Sequence, residues 1–235
     1  LDDDYEINLD GTLDEIKRAQ PKLIFIAYPN NPTGAVAPLE YFEKAVAFAR
    51  SYDIALLHDA CYTEVGYDGY HPHSLLEIPN AKEIAVEFHS LSKSYNMTGW
   101  RIGMAVGNEE IIQALFKVKS NLDSGIAQAV QKMGIEALKW PEEAIKVRND
   151  RYQARRDKVV TVLNQIGLKV SPPQASLYIW TRVPNGFSSA TFATALLDDL
   201  DIVVTPGSSY GKFGEGYIRL SLTLSDEDVD EDNYF

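Results

Sequence analysis

Apolar residues along this chain gather in short runs rather than alternating with polar ones. The first run is Leu23-Ile24-Phe25-Ile26-Ala27. A turn rich in Pro, Asn and Gly follows, and then Leu39, Phe42, Val46 and Ala49 recur near the 3.6-residue period of a helix. The next run, Ile54-Ala55-Leu56-Leu57, completes strand, helix and strand, the pattern of a right-handed crossover between parallel strands. Further strands are predicted at 84–88 and 102–106, separated by a loop rich in Ser, Asn, Thr and Gly. The scarcity of period-2 alternation is what strands covered on both faces show. The pattern therefore predicts an α/β fold built on a mostly parallel sheet with helices on both faces.

From 109 to about 165 the pattern turns helical, and 142–166 holds no Gly or Pro but many Arg, Lys and Ala residues. Such a helix is long enough to bridge two domains. Strands at 177–180, 202–204 and 217–220 and a helix at 189–200 then predict a smaller C-terminal α+β domain. The expected division is a larger domain over 1–149 and a smaller one over 150–235. The chain shows no internal repeat.

Composition narrows the function classes. With 45% hydrophobic and 24% charged residues in 235, the chain has the make-up of a soluble globular protein with a real core, not of a disordered or collagen-like one. Its 22 basic against 34 acidic side chains leave a net charge of −12, which repels phosphate backbones and anionic lipid. Neither nucleic acid nor membrane is expected as a partner. No run approaches the roughly 18 uncharged residues that cross a bilayer, and Leu1-Asp2-Asp3-Asp4 lacks both parts of a signal peptide, so a cytoplasmic protein is expected. Cys61 is the single cysteine, which excludes an internal disulfide and a thiolate metal cage. Both ends are expected to be cut. The first methionine is Met97, and Ser225-Asp226-Glu227-Asp228 reads as the start of a helix whose body does not follow.

Three patches sit where strand ends meet loops, the place where open parallel sheets gather ligand groups. They are Tyr28-Pro29-Asn30-Asn31-Pro32-Thr33-Gly34, His58-Asp59-Ala60-Cys61-Tyr62, and the stretch from His89 through Ser90-Leu91-Ser92-Lys93-Ser94 to Gly99-Trp100-Arg101. Taken singly, each has an ordinary explanation: turn punctuation, a capping acid, a solvated lysine. Their joint occurrence in this order is the informative feature.

In that order the patches resemble the fold-type I pyridoxal-phosphate enzymes, and more closely the class I and II aminotransferases, whose members include the aspartate and LL-diaminopimelate enzymes. Ser90-Leu91-Ser92-Lys93-Ser94 with Gly99-Trp100-Arg101 resembles that family's cofactor-lysine signature. Pro206-Gly207-Ser208-Ser209-Tyr210-Gly211 and Tyr217-Ile218-Arg219-Leu220 resemble its substrate-carboxylate segment, so the likeness covers nearly the whole chain. It implies a partial large cofactor-binding domain followed by a partial small domain.

The resemblance also implies a role for each matching residue. Lys93 is expected to hold the aldehyde of pyridoxal 5'-phosphate as a Schiff base and later to move the substrate's α-proton. Asp59 is expected at the pyridine nitrogen, keeping it protonated. Asn31 and Tyr62 are expected at the phenolate oxygen, Ser90 and Arg101 at the phosphate, and Arg219 at the substrate α-carboxylate as a bidentate partner. His71 and His73 lack further clustered ligands and read as surface residues, so no metal is expected. His58 and His89 read as packing near the site, and Cys61 as a small buried residue.

The activity so implied is transfer of an amino group from an amino acid to a 2-oxo acid by ping-pong exchange. LL-diaminopimelate, aspartate and alanine all stand as donors, and Gln174-Ala175-Ser176-Leu177-Tyr178-Ile179-Trp180 resembles the LL-diaminopimelate members. β-Elimination or decarboxylation on the same scaffold is a second reading, and a non-catalytic scaffold a third. A homodimer is expected for the full-length protein. The family's phosphate loop and ring-stacking aromatic are expected upstream of residue 1, which predicts that the segment alone is poorly soluble and nearly inactive.

Overall fold

The computed structural model describes residues 9–224. In chain order it contains α1 (Leu9–Ala19), β1 (Leu23–Ala27), α2 (Leu39–Ser51), β2 (Ala55–Asp59), β3 (Ala85–Ser90), α3 (Leu91–Ser94), β4 (Gly103–Gly107), α4 (Glu109–Leu122), α5 (Gln128–Ala137), α6 (Glu142–Gln165), β5 (Tyr178–Arg182), α7 (Ser189–Leu200), β6 (Thr205–Pro206) and β7 (Tyr217–Ser221). The chain divides into two compact units. The first holds the residues up to Pro29, Ala35–Val65 and His71–Ile145; the second holds Asn30–Gly34, Gly66–Tyr70 and the residues from Lys146 onward. The predicted long helix is α6, which begins in the first unit and runs on into the second.

The first unit is a four-stranded sheet of order β1-β2-β3-β4. Strands β1, β2 and β3 are parallel, with Ile26 opposite His58 and His58 opposite Glu87. Helix α2 supplies the crossover and lays Phe42, Ala45, Val46 and Ala49 into a core with Ile26, Leu56, Leu75 and Ala85. Burying a side chain such as Phe42 or Leu56 contributes about 1.5–3 kcal/mol each. The helix stops where Asp53 turns into the left-handed region and the Ile54 N–H reaches back to the Ala49 carbonyl, a tight exit that starts β2.

Two features of this sheet depart from a simple parallel, doubly covered arrangement. Strand β4 runs antiparallel to β3, with Ser90 opposite Gly103. The connection coils into α3 and a following turn, the Leu91 N–H bonds the Ile102 carbonyl, and the chain returns from the same end of the sheet, so it must reverse direction. Strand β1 also leaves apolar side chains open, with Leu23 45% and Phe25 59% exposed.

The second unit carries a three-stranded antiparallel sheet of order β5-β7-β6. Helix α7 starts at a capping box in which the Ser188 hydroxyl accepts from the Thr191 N–H and the Thr191 hydroxyl accepts from the Ser188 N–H. The strand expected at 202–204 lies instead at β6. Residues 201–204 leave α7 through Asp201 in the left-handed region, with the Ile202 N–H bonded to the Leu196 carbonyl, and Val203 is 82% exposed. The helix start expected at Ser225-Asp226-Glu227-Asp228 lies outside the described residues. Among the described residues no helix is long and apolar enough to cross a membrane.

Candidate functional site

Asp59 ends β2 with its side chain half-buried, and its Oδ1 accepts the Cys61 N–H at 3.2 Å. Tyr62 follows in the next turn and is buried. Burial pushes the Cys61 thiol up to about 12; a hydrogen bond and the negative charge of Asp59 push the same way, and the positive charge of Lys93 opposes them. One half-buried thiol thus feels an acid from the end of β2 and an amine from α3.

Lys93 lies in α3, directly beyond the end of β3. The Ser90 Oγ caps that turn by accepting the Ser92 N–H at 3.2 Å, which leaves its own O–H proton available to an anion. Arg101 closes the following loop in the left-handed region, and its Nη1 donates to the Thr98 carbonyl at 3.1 Å. The Thr98 hydroxyl in turn donates to the Ser92 carbonyl. The loop is held by its own backbone, and most of the exposed Arg101 guanidinium remains free to donate.

On the other face of these strands is a feature that sequence reasoning missed. Glu87, 1% exposed, accepts four hydrogen bonds: at Oε1 from the Leu75 N–H (2.6 Å) and His58 Nδ1 (2.9 Å), and at Oε2 from the Ser74 hydroxyl (2.9 Å) and His89 Nε2 (3.0 Å). Burial by itself raises its proton affinity, but the bonds from His58, His89 and Ser74 outweigh that and hold the carboxyl well below the usual range. His58 is wholly buried and turns its other nitrogen, Nε2, to the Tyr28 carbonyl at 2.8 Å. The signal available in the sequence was an acid inside an apolar strand, two residues before a histidine.

The second unit holds Asn31 and Arg219. Asn30 braces the turn before them: its Oδ1 accepts from the Thr33 N–H and hydroxyl, and the Gly34 N–H returns to its carbonyl. Gly34 sits at φ +71, where a Cβ would come within 3.1 Å of the Pro173 Cβ and 3.3 Å of the Tyr178 carbonyl oxygen, so only glycine fits without strain. Arg219, on β7, donates from Nη1 to the Asn31 Oδ1 at 2.9 Å and from Nη2 to the Thr205 hydroxyl at 3.3 Å. Its guanidinium lies 4.1 Å from the Tyr178 ring centre and 5.3 Å from that of Tyr210. Its Nε is buried with no hydrogen-bond partner among the described residues. The loop bearing Tyr210 is close-packed because Gly207 and Gly214 meet backbone to backbone, a Cβ on either falling within 2.1 Å of a carbonyl oxygen.

In the first unit an amine and a carboxylate both act on the Cys61 thiol beyond parallel strand ends, and in the second unit a guanidinium lies over aromatic rings with no partner at Nε among the described residues. The sequence profile described as aminotransferase class I and II matches residues 1–231, and the chain belongs to that family. It is 56% identical over 213 residues to an LL-diaminopimelate aminotransferase of Dehalococcoides mccartyi, covering 91% of this chain and 55% of that protein. It is 52% identical over 224 residues to LL-diaminopimelate aminotransferase 2 of a Nostoc species, covering 95% and 57%. Among solved structures, substrate-bound BacF of Bacillus subtilis superposes with a TM-score of 0.86 at 36% identity, over 97% of this chain and 57% of that one. A probable N-succinyldiaminopimelate aminotransferase of Thermus thermophilus gives 0.87 at 37%, over 97% and 61%. The chain spans about half the length of the curated relatives it matches.

The family works with pyridoxal 5'-phosphate, and the donor set of the first unit fits that group chemically. Lys93 offers an amine to an aldehyde, Asp59 a carboxylate to a pyridinium proton, Tyr62 a phenol, and Ser90 and Arg101 a hydroxyl and a guanidinium to a phosphate. His73, weighed above as half of a metal pair, is bonded to Glu77 at 3.3 Å. Among the described residues no group of three or more His, Cys, Asp or Glu side chains is placed to hold a metal.

Proposed function

We propose that the protein of which this chain is part is a pyridoxal-phosphate-dependent aminotransferase that moves an amino group from an amino acid to a 2-oxo acid by ping-pong exchange. The names of its relatives favour LL-diaminopimelate as the donor. In this reading the Lys93 amine would hold the cofactor at its aldehyde carbon, with loss of water, and its Nζ, displaced by the substrate amine, would carry the proton removed from the substrate α-carbon. Asp59 holds the proton of the pyridine nitrogen. Tyr62 and Asn31 donate to the phenolate oxygen, while the Ser90 hydroxyl and the Arg101 guanidinium grip the phosphate. When bound, pyridoxal phosphate supplies the electron sink for the charge left on the α-carbon. Arg219 takes the substrate carboxylate, with Thr205 and the Tyr178 and Tyr210 rings orienting its guanidinium.

The observation that carries this reading is that Asp59, ending β2, and Lys93, just beyond β3, both act electrostatically on the Cys61 thiol, because an electron sink needs a permanent acid and a transferable amine together. The reading extends to a cytoplasmic homodimer and to a division into a partial large domain over 1–149 and a partial small one over 150–235. The test is product analysis on the intact protein supplied with LL-diaminopimelate and 2-oxoglutarate. Glutamate formed in equal amount to the donor consumed is the expected result; release of carbon dioxide or ammonia without glutamate contradicts it.

A further inference from the structure

We propose that Glu87 and His58, with His89 and Ser74, are positioning residues for the cofactor-binding strand ends: a buried hydrogen-bond network on one face of the first sheet that fixes where Asp59 and Ser90 project from the other. The proposal rests on the reading of Asp59 and Ser90 as cofactor residues.

Side chains alternate between faces along a strand, so the in-register pair His58 and Glu87 shares a face with His89, while Asp59 and Ser90 share the opposite one. Each cofactor residue therefore follows directly on a member of the network. The bonds reach every parallel strand of the sheet: Tyr28 directly after β1, His58 on β2, and Glu87 and His89 on β3, with the 74–75 segment as a fourth anchor. His58 faces the Glu87 carboxylate at Nδ1 and the Tyr28 carbonyl at Nε2, so both ring nitrogens are tied, in a core where Phe42 lies 5.1 Å from the imidazole centre.

Stability alone does not account for such a network. Well-packed apolar side chains of similar volume commonly serve a core as well or better, because desolvating the carboxylate and its partners offsets their attraction. What apolar packing lacks is direction. Six described hydrogen-bonding groups with fixed angles hold three strand ends and one loop in a single register, and the acid and hydroxyl proposed to grip the ring and its phosphate inherit that register.

The test uses the intact protein and measures pyridoxal phosphate affinity by equilibrium dialysis of the apoprotein. Glu87→Gln, which keeps the shape but removes the carboxylate that gathers the four bonds, is expected to weaken cofactor binding about tenfold. Val46→Ala, a core change with no bond to the network, is expected to lower thermal stability while leaving cofactor affinity within about twofold. Should Glu87→Gln fail to fold, Ser74→Ala removes a single donor and is expected to weaken binding about threefold. Network variants that bind cofactor no more weakly than Val46→Ala overturn the proposal and leave the aminotransferase reading standing. Wild-type protein that takes up no cofactor overturns both.

Discussion

Two arginines of the second unit are surrounded by similar residue types and treated in opposite ways. Arg156 is 2% exposed and saturated: Nη1 meets Asp68 at 2.7 Å and the Pro173 carbonyl at 2.9 Å, Nε meets Asp157 at 2.8 Å, and the guanidinium lies 5.0 Å from the Tyr67 ring centre. Arg219 also lies over tyrosine rings, but its partners are an amide and a hydroxyl, it makes no ion pair with a described residue, and Nε has no partner. A buried cation is ordinarily neutralised by an acid from its own chain. Arg156 follows that rule and ties α6 to the 66–70 segment. Arg219 is only half-buried, and its neutral neighbours orient the fork without competing for its charge.

The contrast can be broken by substitution. Arg219→Met is expected to lower kcat/KM of the intact protein by roughly two to three powers of ten, because a charge-assisted two-point contact is lost. Its melting temperature should stay close to wild type; a large drop with activity retained would make Arg219 a structural residue like Arg156. Arg156→Met should do the reverse, lowering unfolding stability by about 2 kcal/mol in denaturant titrations with substrate KM unchanged. Asn31→Ala sharpens the comparison from the other side, raising substrate KM about fivefold through a less firmly held Arg219, with kcat less affected.

The smallest effect concerns Asp68. Its hydrogen bond and ion pair with Arg156 hold its carboxyl below the ordinary value of 3.8. A lowered folded-state value means the contribution is present above about that pH and is lost as pH falls below it. With the Asp68 side chain 56% exposed, solvent screening limits the contribution to a few tenths of a kcal/mol. Asp68→Asn should remove that much stability at pH 7 and progressively less as pH falls below 3.8, as read from unfolding curves across that range.

What could be read from the sequence followed from how locally each feature is encoded. Helix α7 shows its capping serine and its residue periodicity in one short window, and the runs behind β1 and β2 are bounded by turn residues. The direction of β4 is not local: it depends on a loop folding back on itself through backbone bonds that no residue type announces. The range of α7 is as the sequence predicts, but the strand after it is displaced: Ile202, Val203 and Val204 have β propensity, yet they are spent on leaving the helix before the ladder begins at Thr205. At the site, Lys93, Asp59 and Arg219 stood out because their motifs are continuous. Glu87 did not, because its partners at 58, 74 and 89 are spread over three segments and a single acid within an apolar run resembles noise. Cys61 was expected to be buried; it is half-buried, and its value lies in reporting the two charges beside it.

The most direct test of the account is to load the intact protein with pyridoxal phosphate, reduce it with borohydride, and locate the pyridoxyl group by peptide mass mapping. The account predicts a single modified peptide with the group on the Nζ of Lys93, and none in Lys93→Ala. A pyridoxyl group on any other lysine, or unchanged labelling of Lys93→Ala, contradicts it.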